Sequence, residues 1–124
     1  MIKLVYCICR RADISQQAFK TYWLETHGPL VRSFGQLLGA KKYIQSHTIQ
    51  PDLNDALAKT RGLAPQYDGI TELWWDDMAS FQSIFQNSPA LQDMHKRLIE
   101  DESKFIDFST SRAFLTEEHR IFDR

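Results

Sequence analysis

Four stretches of the chain have the residue pattern of β-strands. Each is rich in β-branched and aromatic residues or alternates between apolar and polar positions, as half-buried strands do. They are Ile2 to Cys9, Lys42 to Ile49, Tyr67 to Trp75 and Thr110 to Thr116. The pattern therefore predicts four strands, followed by a charged tail from Glu117 to Arg124.

The segment after the first predicted strand has helical periodicity. Apolar residues recur every three or four positions, which places them on one inward face. The members of this face are Phe19, Trp23, His27, Leu30, Phe34 and Leu37 or Leu38. Ser15 can cap the start and Gly39 can end the helix. Because Pro29 has no N–H for the carbonyl of Glu25, we expect a kink or short break beside His27.

A second helical region precedes the last predicted strand. Asp76 or Asp77 can cap its first part, and Ser88 followed by Pro89 restarts it. Its apolar stripe consists of Phe81, Ile84, Phe85, Leu91, Met94, His95, Leu98 and Phe105. The long connection from 50 to 66 is unusual in a small domain, so we expect it to hold a short helix around 52–61 or to fold over a pocket.

The element order is βαββαβ, which predicts an α+β, ferredoxin-like domain spanning residues 1–124. Such a domain has a four-stranded antiparallel sheet with two helices on one face. The first and third predicted strands are apolar on both faces. In each strand one face carries Leu4 or Leu73, and the other carries Val5 or Ile70. Two helices cover only one face, and a contiguous apolar sheet face is rarely left in water. We therefore predict a homodimer.

Composition narrows the class of partner. The 124 residues are 43% apolar and 25% charged, with a net charge of −1. This is ordinary globular composition, and the basic residues form no stripe of the kind that binds nucleic acid. No run approaches the length of a membrane span. Cys7 and Cys9 are too close on one strand to bridge easily, and no zinc or nucleotide motif is present. We expect a cytoplasmic protein with reduced thiols and neither metal nor cofactor.

His27 is the first candidate for chemistry. An imidazole exchanges protons near neutral pH, and a position on an apolar helix face beside a break favours a pocket wall. The alternative is a core histidine whose ring is satisfied by a backbone carbonyl.

Further candidates lie on the second and third predicted strands. Tyr43, Gln45 and His47 share one strand face, where they could orient a carbonyl or phenolic substrate or serve as polar groups of an interface. Glu72 in mid-strand must be partnered or face solvent at a dimer rim. An aromatic wall for a flat apolar ligand could be built from Tyr22, Trp23, Trp74, Trp75 and Phe81, although core packing explains these residues more simply.

Three stretches of the chain carry a recognisable combination of motifs: Phe19 to Leu30, with Trp23 followed by His27-Gly28-Pro29; Tyr43 to His47; and Tyr67 to Trp74, opening on Tyr67-Asp68-Gly69. Together they resemble the EthD family within the dimeric α+β barrel proteins. The resemblance implies a dimer whose two sheets close into a barrel with the helices outside.

Proteins of this architecture include lactone isomerases, polyketide cyclases, decarboxylases and cofactor-free oxygenases, so the fold alone does not select a reaction. We expect a cofactor-independent lyase or isomerase that uses His27, with His47 as the second candidate, on a small hydrophobic carbonyl, lactone or polyketide-like compound. Tyr43, His47 and Tyr67 would orient the substrate. The alternatives are a non-catalytic module that binds a hydrophobic small molecule and an oxygenase of phenolic compounds.

Overall fold

A computed structural model describes all residues, 1–124, and shows four strands and six α-helices. The strands are β1 (Ile2–Ile8), β2 (Lys42–His47), β3 (Gly69–Trp75) and β4 (Arg112–Thr116). The helices are α1 (Gln16–Tyr22), α2 (Gly28–Ser33), α3 (Gly35–Leu38), α4 (Pro51–Lys59), α5 (Met78–Gln82) and α6 (Pro89–Glu102). A π-helical turn, Trp23–His27, joins α1 to α2, and a 3-10 turn, Ser83–Phe85, follows α5.

The strands form one antiparallel sheet in the order β2-β3-β1-β4. This is the ferredoxin-like arrangement predicted from the element order. The connection from 50 to 66 contains α4, so the short helix expected there is present, and none of its residues is buried. None of the helices combines the length and the apolar character needed to cross a bilayer.

Local sequence signals set the helix ends. The Ser15 hydroxyl accepts from the Ala18 N–H, the Asp77 carboxylate from Ser80, and the Ser88 hydroxyl from Leu91. These contacts satisfy N–H groups that the first turn leaves free. Gly39 ends α3 in the left-handed conformation, with φ of 68°. The capping residues chosen from the sequence are thereby confirmed.

The interruption expected beside His27 is a π-helical turn rather than a break. The Gly28 N–H bonds to the Trp23 carbonyl, five residues back. The wider turn changes which side chains point inward after it: Val31 is 7% exposed and occupies the buried position expected of Leu30. Phe85 was also expected inward, but it is 62% exposed, because the 3-10 turn ends there and the chain becomes extended at Gln86.

The core lies between the helices and one face of the sheet. Trp23, Phe19, Ile8 and Phe105 form one buried cluster, and a larger cluster surrounds Trp75. The opposite face of the sheet is uncovered. It presents Val5, Cys7, Ile44, Ile70, Trp74 and Phe114 around a Lys3–Glu72 ion pair of 2.8 Å.

Replacing Gly69 by Ala should destabilise the fold. A Cβ there would lie 2.3 Å from Cζ3 of Trp23 and 3.1 Å from the Ser46 carbonyl oxygen. Because Trp23 is fully buried, its ring has no room to move aside. We expect a loss of about 1–3 kcal/mol in the free energy of unfolding, measured by urea denaturation.

Gly35→Ala is the matched control, since nothing lies within 4 Å of a Cβ at that position. It should leave stability unchanged or raise it by up to about 1 kcal/mol. Equal stability of the two variants would contradict this account of the Trp23 contact.

Candidate functional site

A cavity of about 420 Å³ separates the helices from the sheet. Its walls are mostly apolar and come from both buried clusters, with Trp23 at one end and Trp75 and Phe81 at the other. Volumes of this size accommodate small organic ligands. Only a few polar side chains reach the cavity: Tyr6, His27, Tyr43, Thr71, His95 and Glu102.

His27 is held at this cavity by Asp101. Its Nδ1 lies 2.7 Å from Oδ2 of Asp101, and only 5% of the residue is exposed. The Phe105 ring packs against the imidazole at 5.0 Å. Because a carboxylate only accepts hydrogen bonds, the imidazole proton resides on Nδ1 and the lone pair on Nε2. The Nε2 atom makes no hydrogen bond to the protein and is not sealed from the cavity.

The second oxygen of Asp101 is also occupied. The Tyr22 hydroxyl donates to Oδ1 at 2.5 Å, and the Lys104 ammonium lies 3.7 Å from the same atom. Burial alone would raise the pKa of Asp101, but the bonds from Tyr22 and His27 outweigh it and hold that pKa below its usual value. Burial and the Asp101 bond raise the pKa of Tyr22 to about 12. Asp101 is therefore a carboxylate at neutral pH.

Burial lowers the pKa of His27 below its usual value, even though Asp101 acts in the opposite direction. The free energy of removing a charged imidazolium from water exceeds the stabilisation that the nearby carboxylate provides. His27 is consequently neutral at pH 7, with an unprotonated Nε2 available to accept a proton.

Three side chains of β2 form a hydrogen-bonded chain beside the π-helical turn. His47 Nε2 donates to Gln45 Oε1 at 2.9 Å, and Gln45 Nε2 donates both to the Tyr43 hydroxyl, at 2.9 Å, and to the Trp23 carbonyl, at 2.8 Å. The His47 ring stacks on Trp23 at 4.4 Å. Burial raises the pKa of Tyr43, so its hydroxyl keeps a proton that it can donate.

The residues predicted for the site are thus divided among three places. His27, Trp23 and Tyr43 line the cavity, and Tyr22, Gln45 and His47 lie behind them as hydrogen-bonding or stacking partners. Tyr67 borders a shallow polar depression beside α4. Glu72 and Trp74 lie on the uncovered sheet face, where Glu72 pairs with Lys3 and the Trp74 indole donates to Glu118.

Sequence reasoning missed the two carboxylates at the end of α6. Asp101 and Glu102 lie three and four residues after Leu98, so they continue the apolar stripe of that helix. Acidic residues at core positions are a signal of a buried, partnered group.

No group of three His, Cys, Asp or Glu side chains is arranged to hold a metal ion.

The pKa of Glu102, at the cavity wall, is raised well above its ordinary value. Burial is the main cause, the Asp101 charge adds to it, and the Tyr6 hydroxyl opposes it; together they raise the pKa of Glu102 to about 7. Its ordinary pKa is 4.5. In the unfolded chain Glu102 therefore releases its proton at a lower pH than in the folded protein.

The family model of the EthD domain matches residues 11–109. An EthD family protein from Bacillus halodurans has a TM-score of 0.63 at 19% identity, with 96% of this chain and 99% of that chain covered. A dimeric protein of unknown function with a ferredoxin-like fold, from Bacteroides fragilis, has a TM-score of 0.60 at 8% identity, covering 94% and 95% of the two chains.

A third solved structure with this fold comes from Deinococcus radiodurans and is described as a candidate antibiotic biosynthesis monooxygenase. Its TM-score is 0.54 at 10% identity, covering 100% of this chain and 98% of that one. Identities this low show the shared fold alone. No curated protein is significantly similar to the chain.

Replacing Glu102 by Gln should stabilise the protein at alkaline pH. Since the pKa of the folded state is the higher one, the unfolded state binds fewer protons, and wild-type stability falls as pH rises from about 4.5 to about 7. A glutamine has no such dependence. We measure the free energy of unfolding of both proteins by urea denaturation. Between about pH 4.5 and about pH 8, the variant should become more stable relative to wild type by about 1–3 kcal/mol.

Glu100→Gln, on the exposed side of the same helix, should show no comparable pH-dependent difference. If Glu102→Gln and wild type lose stability in parallel across this range, the carboxyl of Glu102 is not displaced from its ordinary acidity.

Proposed function

The chain belongs to the EthD domain family, and we propose that it is a cofactor-independent enzyme of the lyase or isomerase type. In this proposal it acts by acid/base catalysis on a small hydrophobic carbonyl, lactone or polyketide-like compound. The single observation that carries the proposal is the buried His27, whose Nδ1 is fixed by Asp101 and whose Nε2 is free at an apolar cavity.

The pair has the arrangement expected of a general base. Asp101 fixes the tautomer and the ring orientation, and it stabilises the imidazolium that forms when Nε2 takes a proton. The lowered pKa of His27 keeps the base unprotonated at neutral pH. A proton taken by Nε2 can exchange with solvent or return to a different atom of the substrate. Proton removal followed by return or by loss of a leaving group is the chemistry of isomerases and lyases.

The remaining polar groups assist this base. Tyr43 reaches the cavity with a hydroxyl whose oxygen already accepts from Gln45, so its proton is directed to another acceptor. Gln45 and His47 hold Tyr43 in place, and Trp23 provides a flat apolar wall. We assign His47 to this supporting group, because its Nε2 is occupied by Gln45.

A second candidate function is the binding of a hydrophobic small molecule without turnover. The observation that favours it is the apolar character of the cavity, where aromatic rings of Trp23, Trp75 and Phe81 offer contact area for a flat ligand. The third alternative, an oxygenase of phenolic compounds, has no further support, because similarity to one candidate monooxygenase at 10% identity shows only a shared fold.

Exchange of carbon-bound protons on simple carbonyl probes tests the base, whatever the natural substrate is. We expect wild-type protein in D2O to incorporate deuterium next to the carbonyl of 2-tetralone or of a five-membered unsaturated lactone, followed by NMR. His27→Gln should slow the exchange by about 10²-fold or more, the usual contribution of general acid/base catalysis.

Asp101→Asn should also slow exchange, because an amide can stabilise the wrong tautomer of His27 and no longer balances the imidazolium. Val31→Ile, which changes only the apolar wall, is the control for altered cavity shape. Exchange no faster than in buffer with every probe would contradict catalysis, whereas tight binding of the same probes without exchange would favour the binding module.

We further propose that the uncovered sheet face joins two copies of the chain. Val5 lies at its centre, between Glu72 of β3 and Phe114 of β4. Phe114 is 49% exposed and Ile44 38% exposed in the single chain, and one solved structure with this fold is described as dimeric. A stable dimer of this kind should bury more than about 1,000 Å² in total.

Sedimentation at micromolar concentration should show a dimer for wild type. Val5→Glu would place an unpaired charge beside Glu72 in the contact and should weaken association by about 10²-fold or more. Ile99→Glu, on the exposed side of α6 at 56% exposure, should remain dimeric. A monomeric wild-type protein would overturn this assignment of the sheet face.

A further inference from the structure

A row of polar side chains crosses the helix-facing side of the sheet below the cavity. Strand pairing places Gln45 opposite Thr71 and Thr71 opposite Tyr6. The next row contains Tyr43, Leu73 and Leu4, of which only Tyr43 is polar. Thr71 is only 6% exposed. Gln45 is bonded within the chain, whereas the Tyr6 hydroxyl has only the Glu102 carboxyl beside it and can serve an occupant of the cavity.

Glu102 approaches the same row from the helix layer. It follows Asp101 at the end of α6 and lines the cavity together with Tyr6, Thr71 and His27. Its carboxyl faces the Tyr6 hydroxyl, and no other side chain bonds to either group. The only sealed polar side-chain atom without a hydrogen bond in the whole chain is Nε of Arg10. The Tyr6 and Glu102 oxygens are therefore open to the cavity.

We propose that Glu102 and Tyr6 together bind the carbonyl oxygen of the substrate and stabilise it as an enolate when His27 removes the neighbouring carbon-bound proton. This inference rests on the proposed function, and it assigns the second half of that site. The substrate is then an enolisable ketone or lactone, with the carbonyl oxygen directed to the Tyr6 side of the cavity and the acidic C–H directed to His27.

The electrons balance within the chain and its substrate. The Nε2 lone pair of His27 takes the proton, the C–H pair becomes a C=C bond, and the carbonyl π pair moves onto oxygen. The oxyanion then accepts hydrogen bonds from the Glu102 carboxylic acid and the Tyr6 phenol. The imidazolium returns its proton to another carbon in an isomerisation or to a departing group in a lyase reaction. No oxidant or reductant is consumed.

Glu102 must carry its proton to serve as a donor. The ionisable groups around it are Asp101 on the same helix, Tyr6 from β1, Tyr43 from β2 and His27 from the π-helical turn. Asp101 is ionised and the other three are neutral near pH 7, and the nearby cation, the Lys104 ammonium, lies against Asp101 at 3.7 Å. Burial raises the pKa of Tyr6 as well. A neutral carboxylic acid in an apolar site is a strong donor to a developing oxyanion.

A stable anion that mimics the enolate tests this assignment directly. The probe is 2,4-dinitrophenol, which is ionised across the whole pH range of the test, and its binding is measured by the change in its absorption spectrum. Wild type should bind it well at about pH 6 and lose affinity by about tenfold or more on passing to about pH 8, as Glu102 ionises and repels it. Glu102→Gln keeps a neutral donor of the same shape, so its affinity should not change with pH in this way.

Three further variants complete the test. Glu102→Leu and Tyr6→Phe should each weaken binding at about pH 6 by about tenfold or more, because each removes a donor. Glu100→Gln, exposed on the same helix, should bind as wild type does. Infrared difference spectra of wild type and Glu102→Gln at about pH 6 should show the carbonyl stretch of a protonated carboxylic acid.

His27→Gln separates this inference from the proposed function. It should slow proton exchange by about 10²-fold or more yet retain anion binding, since both donors remain. If Glu102→Leu binds the anion as well as wild type, or if wild-type affinity is independent of pH, the assignment of Glu102 is wrong even where His27 proves catalytic. If His27→Gln exchanges protons normally while the Glu102 variants lose anion binding, the oxyanion site stands and the base lies elsewhere.

Discussion

A histidine ring buried among aromatic side chains needs a partner for its N–H, and in this chain Asp101 provides it at 2.7 Å from His27. The contact joins the π-helical turn after α1 to the last turn of α6, and its two residues are 74 positions apart in the sequence. Breaking it would leave Oδ2 of the buried Asp101 without its donor, and unsatisfied charged groups are costly in a core. Tyr22 and Phe105 complete the enclosure, so the architecture around the cavity depends on this pair.

The π-helical turn makes the pair compatible with core packing. Its extra residue lets Phe19, Trp23, His27 and Val31 all face inward although they are spaced four apart throughout. The Trp23 carbonyl in this turn accepts both the Gly28 N–H and the Gln45 amide, so β2 is joined to the irregular segment. Such turns are frequent at functional sites because they redirect side chains without ending a helix.

The two faces of the sheet differ in character. The helix-facing side carries the polar row of Tyr6, Thr71 and Gln45 under the cavity, and the other side carries apolar residues around the Lys3–Glu72 pair. Because neighbouring residues of a strand point to opposite faces, Glu72 is directed away from the cavity that its neighbour Thr71 lines. Substitutions along the same strand can therefore change the cavity and the uncovered face independently.

The sequence alone determined the four strands, the capped helices and their order, since alternation, helical spacing and capping residues are local signals. It also made His27 a candidate, because a histidine on an apolar stripe next to a helix-breaking proline is visible in the sequence. The tertiary structure decided which groups meet His27. Asp101 and Glu102 are distant in sequence, and their position on the α6 stripe signals burial but not a partner. Likewise, only the strand register shows that Tyr6, Thr71 and Gln45 share a row while Glu72 and Trp74 lie on the other face. Contacts between distant segments arise from packing of whole elements, and no local pattern encodes them.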